Sequence, residues 1–293
     1  MNASVAIASE GDREREDRLR ALVDQWTGHM RWRRDYDRWR ENRLWQEDGQ
    51  ASRLLALRAV TGDLAGKQVL DIGSGMGGFL VAAQRNAIRA VGIEPNADYC
   101  AITRLRADRY GLPPRVTRGY GESLPFADHS FDVVLAQDIL EHVRDPFATL
   151  REIHRVLKSS GVALVTVINR FAWRDPHYHL FGLNWLPRPV AEAVVDRVGR
   201  SKRGARFADN QRLEDMYYDT MAGFTRRARA IGFTVTDTKE RALMEDLGQG
   251  SGRYRTTIWS LRAVHALQPV YRLHRFAITS TYELALRPHG AAQ

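Results

Sequence analysis

The sequence predicts an α/β fold with a mainly parallel, seven-stranded sheet. Short apolar segments alternate with helical segments between residues 67 and 168, which is the order of βαβ units. The first apolar segment ends on an acid, and a turn with four glycines follows it within residues 69–80. Glycine lets a backbone turn tightly and approach a ligand with no Cβ in the way. We therefore expect a ligand site at the carboxyl end of the first strand.

Each predicted element has a local signal. The fourth strand is almost entirely apolar, as in a buried parallel strand, and Asp145-Pro146 supplies an N-cap and a first-position proline for the helix that follows. The predicted strands cover residues 67–72, 90–94, 115–119, 131–136, 162–168, 233–239 and 256–261. The predicted helices of this region cover residues 77–86, 97–110, 145–158, 212–231 and 264–287.

Segments on both sides of the alternating region complete four predicted domains. Residues 1–60 form an N-terminal helical extension, disordered over 1–12, whose aromatic stripe (Trp32, Tyr36, Trp39) either packs as core or covers the site as a lid. Residues 61–168 form the ligand-binding core. Residues 169–211 interrupt the rhythm and form a substrate cap inserted after strand five. Residues 212–293 form the rest of the core and a C-terminal helix.

Two acids accompany the glycine loop, and the first of them has no counterpart in a dinucleotide fingerprint. Asp71 stands beside the glycines in the pattern D-x-G-x-G-x-G, where it suits a cationic ligand and would repel a phosphate. Glu94 ends the second predicted strand, where a carboxylate can accept both hydroxyls of a ribose.

With these motifs the chain resembles the class I S-adenosylmethionine-dependent methyltransferases, of the methyltransferase type 11-like group. The matching segments are VLDIGSGMGG, VGIEP, GESLPFADHSFDVVLAQDILEHV and LREIHRVLKSSGVALVTV, in that order within residues 66–168. The resemblance implies a Rossmann-like fold and the cofactor S-adenosyl-L-methionine.

The resemblance also implies which residues bind the cofactor. Asp71 and the loop glycines would hold its methionine end, and Glu94 its ribose. Tyr120 stands where related chains often carry an Asp that contacts adenine, so that contact falls to Tyr120 or to the Gly121 N–H. Gln137 would line the passage to the substrate. The expected cofactor-binding residues are Asp71, Gly73, Gly75, Gly77, Glu94, Pro95, Tyr120, Gly121, Glu122 and Gln137.

Methyl transfer to an alcohol needs a base, and histidine is the usual base near neutral pH. The candidates are His142, His177 and His179. The last two are two residues apart in the cap, so they would point the same way in an extended segment.

A metal-dependent alternative uses some of the same residues. Asp138, Glu141 and His142 would share one face of a helical turn and suit Mg²⁺ or Mn²⁺. They resemble the E-x-x-E-H metal motif of the small-RNA 2′-O-methyltransferases and the ubiquinone-pathway O-methyltransferases, with Asp in place of the first Glu. The same letters also occur as ordinary turn structure in methyltransferases without a metal.

Composition narrows the class of protein. No apolar run approaches the ~20 residues of a membrane span, and the N-terminal residues lack a signal-peptide pattern. The single cysteine, Cys100, fits a reducing cytoplasm. The net charge of +9 arises mostly after residue 168, and the basic tail with Tyr271, Arg272, Arg275 and Phe276 predicts contact with an anionic partner such as a membrane surface.

The predicted function is therefore O-methylation of a small-molecule or saccharide-like acceptor. Three alternatives stay open: methylation of RNA, which scattered arginines support poorly; N- or C-methylation of a natural product or quinone; and cofactor binding without catalysis. The oligomeric state is not predicted.

Overall fold

The computed structural model describes residues 10–31, 33–199, 212–249 and 261–290. The chain divides into two compact units, Met1–Tyr120 and Gly121–Gln293, called unit 1 and unit 2 below. None of the helices in the described ranges combines the length and apolarity that crossing a bilayer requires.

Unit 1 begins with the helical extension and continues into three parallel strands. The first and second strands pair with Asp71 opposite Gly92, and the second and third strands pair with Glu94 opposite Arg118. The elements are α1 (Glu10–Thr27), α2 (Tyr36–Leu44), α3 (Ala51–Thr61), β1 (Gln68–Ile72), α4 (Gly78–Arg85), β2 (Arg89–Glu94), α5 (Ala97–Asp108) and β3 (Val116–Arg118).

The N-terminal helices pack on α5 through a buried aliphatic cluster, against which Trp26 and Trp45 also pack. Leu19, Val23 and Leu44 form a buried cluster with Ile102 of α5. Trp39 is only half-buried and lies between the guanidinium groups of two arginines. The predicted aromatic stripe is thus peripheral to this cluster, and its first member, Trp32, lies outside the described residues.

Unit 2 contains the other four strands. β4 and β5 pair in parallel, and β7 pairs antiparallel with both β5 and β6. The elements are β4 (Phe131–Ala136), α6 (Pro146–Val156), β5 (Leu157–Ile168), α7 (Arg188–Arg197), α8 (Met221–Ile231), β6 (Phe233–Asp237), α9 (Thr238–Gln249), α10 (Leu261–Ala277) and β7 (Thr281–Pro288).

The predicted fold class is confirmed: the strands form a seven-stranded, mainly parallel sheet in the order β3-β2-β1-β4-β5-β7-β6. Asp145 caps α6 as predicted, because its side chain accepts from the N–H groups of Phe147 and Ala148.

The end of the chain differs from the prediction. The helix predicted to reach residue 287 stops at Ala277, and the last strand is β7, not residues 256–261. Leu261 begins α10, and residues 256–260 lie outside the described residues. The physical reason is local: Ile278 to Thr281 is rich in β-branched and hydroxyl side chains, which disfavour helix, and Tyr282, Leu284 and Leu286 then alternate as buried positions of a strand.

The helix predicted over residues 212–231 is also shorter. It begins at Met221, where the hydroxyl of Thr220 accepts a hydrogen bond from the N–H of Gly223. The cap segment after β5 contains a short 3₁₀ turn at Leu183–Trp185 and α7, and residues 200–211 lie outside the described residues.

Candidate functional site

The glycine loop of unit 1 is held by backbone hydrogen bonds. The N–H of Gly73 donates to the carbonyl of Ile93 at 2.8 Å, and the N–H of Gly77 donates to the carbonyl of Ser74 at 3.1 Å. Gly73, Gly75 and Gly77 all have positive φ angles, which glycine adopts without strain. The loop therefore turns sharply and leads directly into the N-terminus of α4.

Glu94 faces this loop from the end of β2. It is 5% exposed, and its carboxylate accepts from the N–H of Gly75 at 2.8 Å and from the N–H of Asn96 at 3.0 Å. Each carboxylate oxygen has a further lone pair, so the group has the capacity to accept a ligand hydroxyl as well. Pro95, the next residue, accepts a hydrogen bond from Arg118 with its carbonyl.

Asp71 has a partner that the sequence did not reveal. Arg53, on α3, donates to its carboxylate at 3.2 Å and lies 4.5 Å from the centre of the Phe79 ring. Burial raises the pKa of Asp71 above its ordinary value, and the positive charge of Arg53 opposes that shift. Asp71 is thus part of an internal ion pair, and the half-exposed guanidinium brings a cation to the glycine loop.

The other expected cofactor residues are divided between the units. Tyr120 is 56% exposed at the end of unit 1, whereas Gly121, Glu122 and Gln137 belong to unit 2. The Glu122 carboxylate accepts from the N–H of Arg144 at 2.9 Å, so it stabilises the turn before α6. That contact gives Glu122 a structural role in unit 2.

Unit 2 brings Glu141, His142 and His177 together. One potential ligand atom of each lies within 4.8 Å of the others. His177 Nε2 is 3.7 Å from Glu141 Oε1, and the rings of His142 and His177 are 5.2 Å apart, edge to face. Within the described part of the chain, Glu141 Oε2 and His177 Nε2 are buried without a hydrogen-bond partner. Such atoms are rare in proteins and indicate a place for a ligand or a water molecule.

A buried aspartate fixes the backbone around His177. Asp175 is fully buried and accepts from the N–H groups of His177 and Tyr178 at 2.9 and 2.6 Å. It also accepts from the hydroxyl of Tyr218 at 3.0 Å. Burial, together with the carboxylate of Asp175, raises the pKa of Tyr218, so its hydroxyl stays protonated.

The prediction of an extended segment for the two histidines is wrong, because they lie in a turn. The N–H of His179 donates to the carbonyl of Asp175, and His179 has a φ of 57°, in the left-handed region. His177 is half-buried and His179 is exposed, so the two side chains have different surroundings. The Asp-Pro pair at 175–176 favours a turn. The Asp175 side chain accepts hydrogen bonds from the following N–H groups, and the proline ring fixes φ at a value that suits a turn.

Asp138 does not belong to the cluster of possible ligands. Its side chain is exposed, and its N–H donates to the hydroxyl of Thr166 at 2.6 Å. The φ of Asp138 is 56°, which breaks the helical turn assumed in the sequence interpretation. The three-residue set therefore holds two imidazoles and one carboxylate, which suits Mn²⁺ or Zn²⁺ better than Mg²⁺, since Mg²⁺ prefers oxygen ligands.

A comparison with known families covers the part of the chain that contains the glycine loop. Residues 70–165 match the family model of the methyltransferase domain, so this segment is similar to a methyltransferase domain. The matched residues include the glycine loop, Glu94 and the Glu141–His142 pair.

Two curated relatives are similar to this domain. A ubiquinone biosynthesis O-methyltransferase of Ruegeria sp. (strain TM1040) is 32% identical over 135 residues, which cover 44% of this chain and 53% of that protein. An uncharacterized methyltransferase of Mycobacterium sp. (strain KMS) is 39% identical over 111 residues, which cover 38% of this chain and 41% of that protein. The chain thus spans only 53% or less of these two relatives.

One solved structure is similar over most of the chain. Phosphoethanolamine N-methyltransferase 2 of Haemonchus contortus, in complex with S-adenosyl-L-methionine, has a TM-score of 0.50 and 18% identity. The similarity covers 97% of this chain and 61% of that one. It extends the fold assignment beyond the domain that the family model matches.

Proposed function

We propose that the protein transfers a methyl group from S-adenosyl-L-methionine to an oxygen of a small-molecule or saccharide-like acceptor. The observation that carries the proposal is a pair of buried atoms without a hydrogen-bond partner, one on Glu141, inside the segment that matches the methyltransferase domain, and one on His177, in the cap segment that follows it. A neutral imidazole beside a carboxylate is suited to take a proton from a hydroxyl and to be stabilised when it becomes charged. The relatives named as O-methyltransferases of ubiquinone biosynthesis support the same type of acceptor atom.

Residues of unit 1 would hold the cofactor. Glu94 would accept the ribose hydroxyls, and the loop glycines would let the backbone approach the methionine moiety. Arg53 adds a group absent from the expected set: its guanidinium would attract the carboxylate of that moiety. Asp71 would act mainly by orienting Arg53.

Cofactor binding is tested by titration calorimetry with S-adenosyl-L-methionine. We expect Glu94→Ala to weaken binding by about 1–3 kcal/mol, since it removes an acceptor of charge-assisted hydrogen bonds. Asp63→Asn, at an exposed acid of the same unit, is the control and should leave the affinity unchanged. Unchanged affinity in a folded Glu94→Ala variant would contradict the cofactor assignment.

The base is tested by turnover, followed as release of S-adenosylhomocysteine with phenols, catechols and saccharides as acceptors. We expect His177→Ala to lower kcat by ~10²–10⁴ while cofactor affinity stays nearly constant. Glu141→Gln should lower kcat less, because the imidazole remains. A loss with His179→Ala or His142→Ala but not with His177→Ala would move the base to that residue.

The same experiment separates base chemistry from a metal-assisted reaction. Glu141, His142 and His177 would hold the ion, which would polarise the acceptor hydroxyl and lower its pKa. Chelator should then abolish turnover, and added Mn²⁺ or Zn²⁺ should restore it better than Mg²⁺ does. Turnover that chelator leaves unchanged supports the imidazole as base.

The alternatives give other outcomes. Methylation of an amine or of a carbon would leave turnover less dependent on His177, and RNA methylation would appear only with an RNA acceptor. A protein that binds the cofactor but turns over no acceptor in the panel would support a binding role.

A further inference from the structure

Two segments of unit 2 expose large apolar side chains. One is the cap segment after β5, and the other is α10. Their exposed side chains have between 41% and 67% of their surface accessible to solvent. We call this set the apolar patch: Trp173, Phe181, Trp185, Val270, Leu273 and Phe276.

Ring contacts join the two segments. Phe171 lies 5.3 Å from Phe276 of α10 and 5.7 Å from Trp185, measured between ring centroids. Trp173 and Phe181 form a second ring pair at 6.3 Å. The patch therefore includes side chains of both segments that are linked through Phe171.

A buried amide holds the end of α10 against the cap segment. Asn169 is fully buried, and its side-chain NH₂ donates to the carbonyls of Arg275, Phe276 and Thr279 at 3.2, 2.7 and 2.9 Å. The hydroxyl of Ser280 donates to the carbonyl of Arg174 at 3.1 Å. These bonds fix the position of the patch, so its exposure is built into the fold.

The charges around the patch are positive. The sequence of α10 contains no acidic residue, and residues 170–188 contain one, Asp175, which is fully buried. The exposed arginines among the described side chains of these segments include Arg174, which lies 5.9 Å from the Phe181 ring, and Arg272. Arg272 pairs with Glu240, whose carboxylate is mostly buried.

The predicted contact through the basic tail needs a correction. Arg275 is 7% exposed, pairs with Asp237 and lies over the Tyr282 ring, so it faces the protein. The exposed side of α10 presents Val270, Leu273 and Phe276 instead. This surface is therefore suited to apolar contact, with arginines at its edge.

We propose that the apolar patch binds the surface of an anionic lipid bilayer. Tryptophan and arginine have apolar bodies with polar or charged ends, which suits the boundary between lipid and water. Leucine, valine and phenylalanine would enter the acyl region, while Arg174 and Arg272 would stay among anionic headgroups. The lack of exposed carboxylates along both segments removes the repulsion that such a surface would otherwise impose.

The test is flotation of the full chain with phosphatidylcholine vesicles, with and without phosphatidylglycerol. We expect binding to the anionic vesicles that weakens with salt. Leu273→Glu should reduce partitioning by about tenfold or more, because it places a charge where an exposed apolar side chain would enter the acyl region of the bilayer. The matched control is Leu55→Glu in unit 1, at a leucine of similar exposure (65% against 67%), which should bind as wild type.

Equal binding of Leu273→Glu and wild type would overturn the proposal, as would absence of binding to anionic vesicles at low salt. Light scattering supplies the competing outcome: a dimer that Leu273→Glu dissociates, without vesicle binding, would assign the patch to a second copy. Circular dichroism and thermal unfolding show whether each variant is folded without reference to the cofactor, so failure here is separable from failure of the cofactor assignment.

Discussion

Arg106 on α5 joins the glycine loop to the N-terminal helices of unit 1, and its replacement should be costly. Its fully buried guanidinium donates to the carbonyls of Arg43 and Leu44, each at 2.8 Å, and to the loop carbonyl of Met76 at 3.0 Å. It also forms an ion pair with Glu47, whose side chain is buried as completely. Burial lowers the pKa of Arg106, and the charge of Glu47 opposes that shift.

Arg106→Met keeps the length of the stem and removes every donor. Breaking a buried ion pair by removing one partner costs about 3–5 kcal/mol. The lower end applies here, because Arg109 and the Tyr110 hydroxyl still donate to Glu47, at 2.9 and 3.0 Å. We expect a loss of about 3 kcal/mol in the free energy of unfolding, which a domain with about 5–15 kcal/mol of stability would survive.

Urea unfolding measures this loss, with Arg104→Met, at an exposed arginine of the same helix, as the control. Because the charges interact, Glu47→Leu combined with Arg106→Met should cost less than the sum of the single variants. Cofactor affinity of Arg106→Met should also fall, since the Met76 carbonyl loses its anchor. A change below about 1 kcal/mol, or additive effects in the double variant, would refute the reasoning.

Three further predictions concern single contacts. Gly77→Ala should lower the free energy of unfolding by at least about 2 kcal/mol, measured by urea unfolding, since φ is 76° and a Cβ would lie 2.4 Å from two side-chain atoms of Thr103. Adding Thr103→Ala removes both of those atoms and should recover only part of the loss, because the φ strain remains; full recovery would contradict this. Asp145→Ala should cost about 1 kcal/mol at pH 7. The Ala148 N–H lowers the pKa of Asp145 below its ordinary 3.8, so the cap stabilises the fold above that pH and the difference between variant and wild type should shrink as the pH falls through it; a constant difference would contradict this. Asn169→Ala should cost about 1–3 kcal/mol in thermal unfolding because buried carbonyls of α10 lose their donor, and wild-type stability would argue against that role.

The parts of the fold that could be predicted have local causes. The glycine turn, the Asp145-Pro146 helix start and the apolar fourth strand each depend on residues within a few positions of one another. The end of the chain was harder, because β7 is specified by pairing with β5 and β6, whose residues lie far away in sequence. The predicted helix followed the basic amphipathic pattern of α10 to residue 287. The β-branched residues after Ala277 end that helix earlier.

The candidate site divides in the same way. Glu94 could be predicted, because its distance along the sequence from the glycine loop, at the end of the next strand, is a recognisable pattern. The pairing of Arg53 with Asp71 and that of His177 with Glu141 could not be predicted from sequence spacing. These partners come together only through tertiary packing. The exclusion of Asp138 from the histidine cluster depends on its left-handed backbone, which only the structure reveals.

The two acids at the glycine loop differ in how their charges are balanced, and that difference bears on the cofactor. Asp71 is balanced by Arg53, so the pair adds little net charge to the loop. Glu94 accepts from two backbone N–H groups, which orient and stabilise the carboxylate but carry no net charge. The carboxylate is thus held in a fixed orientation at the end of β2, where it would accept the hydroxyls of a ligand. The guanidinium of Arg53 beside the loop and the oriented carboxylate of Glu94 at the strand end would together match a ligand with a carboxylate at one end and a ribose further along, as in S-adenosyl-L-methionine.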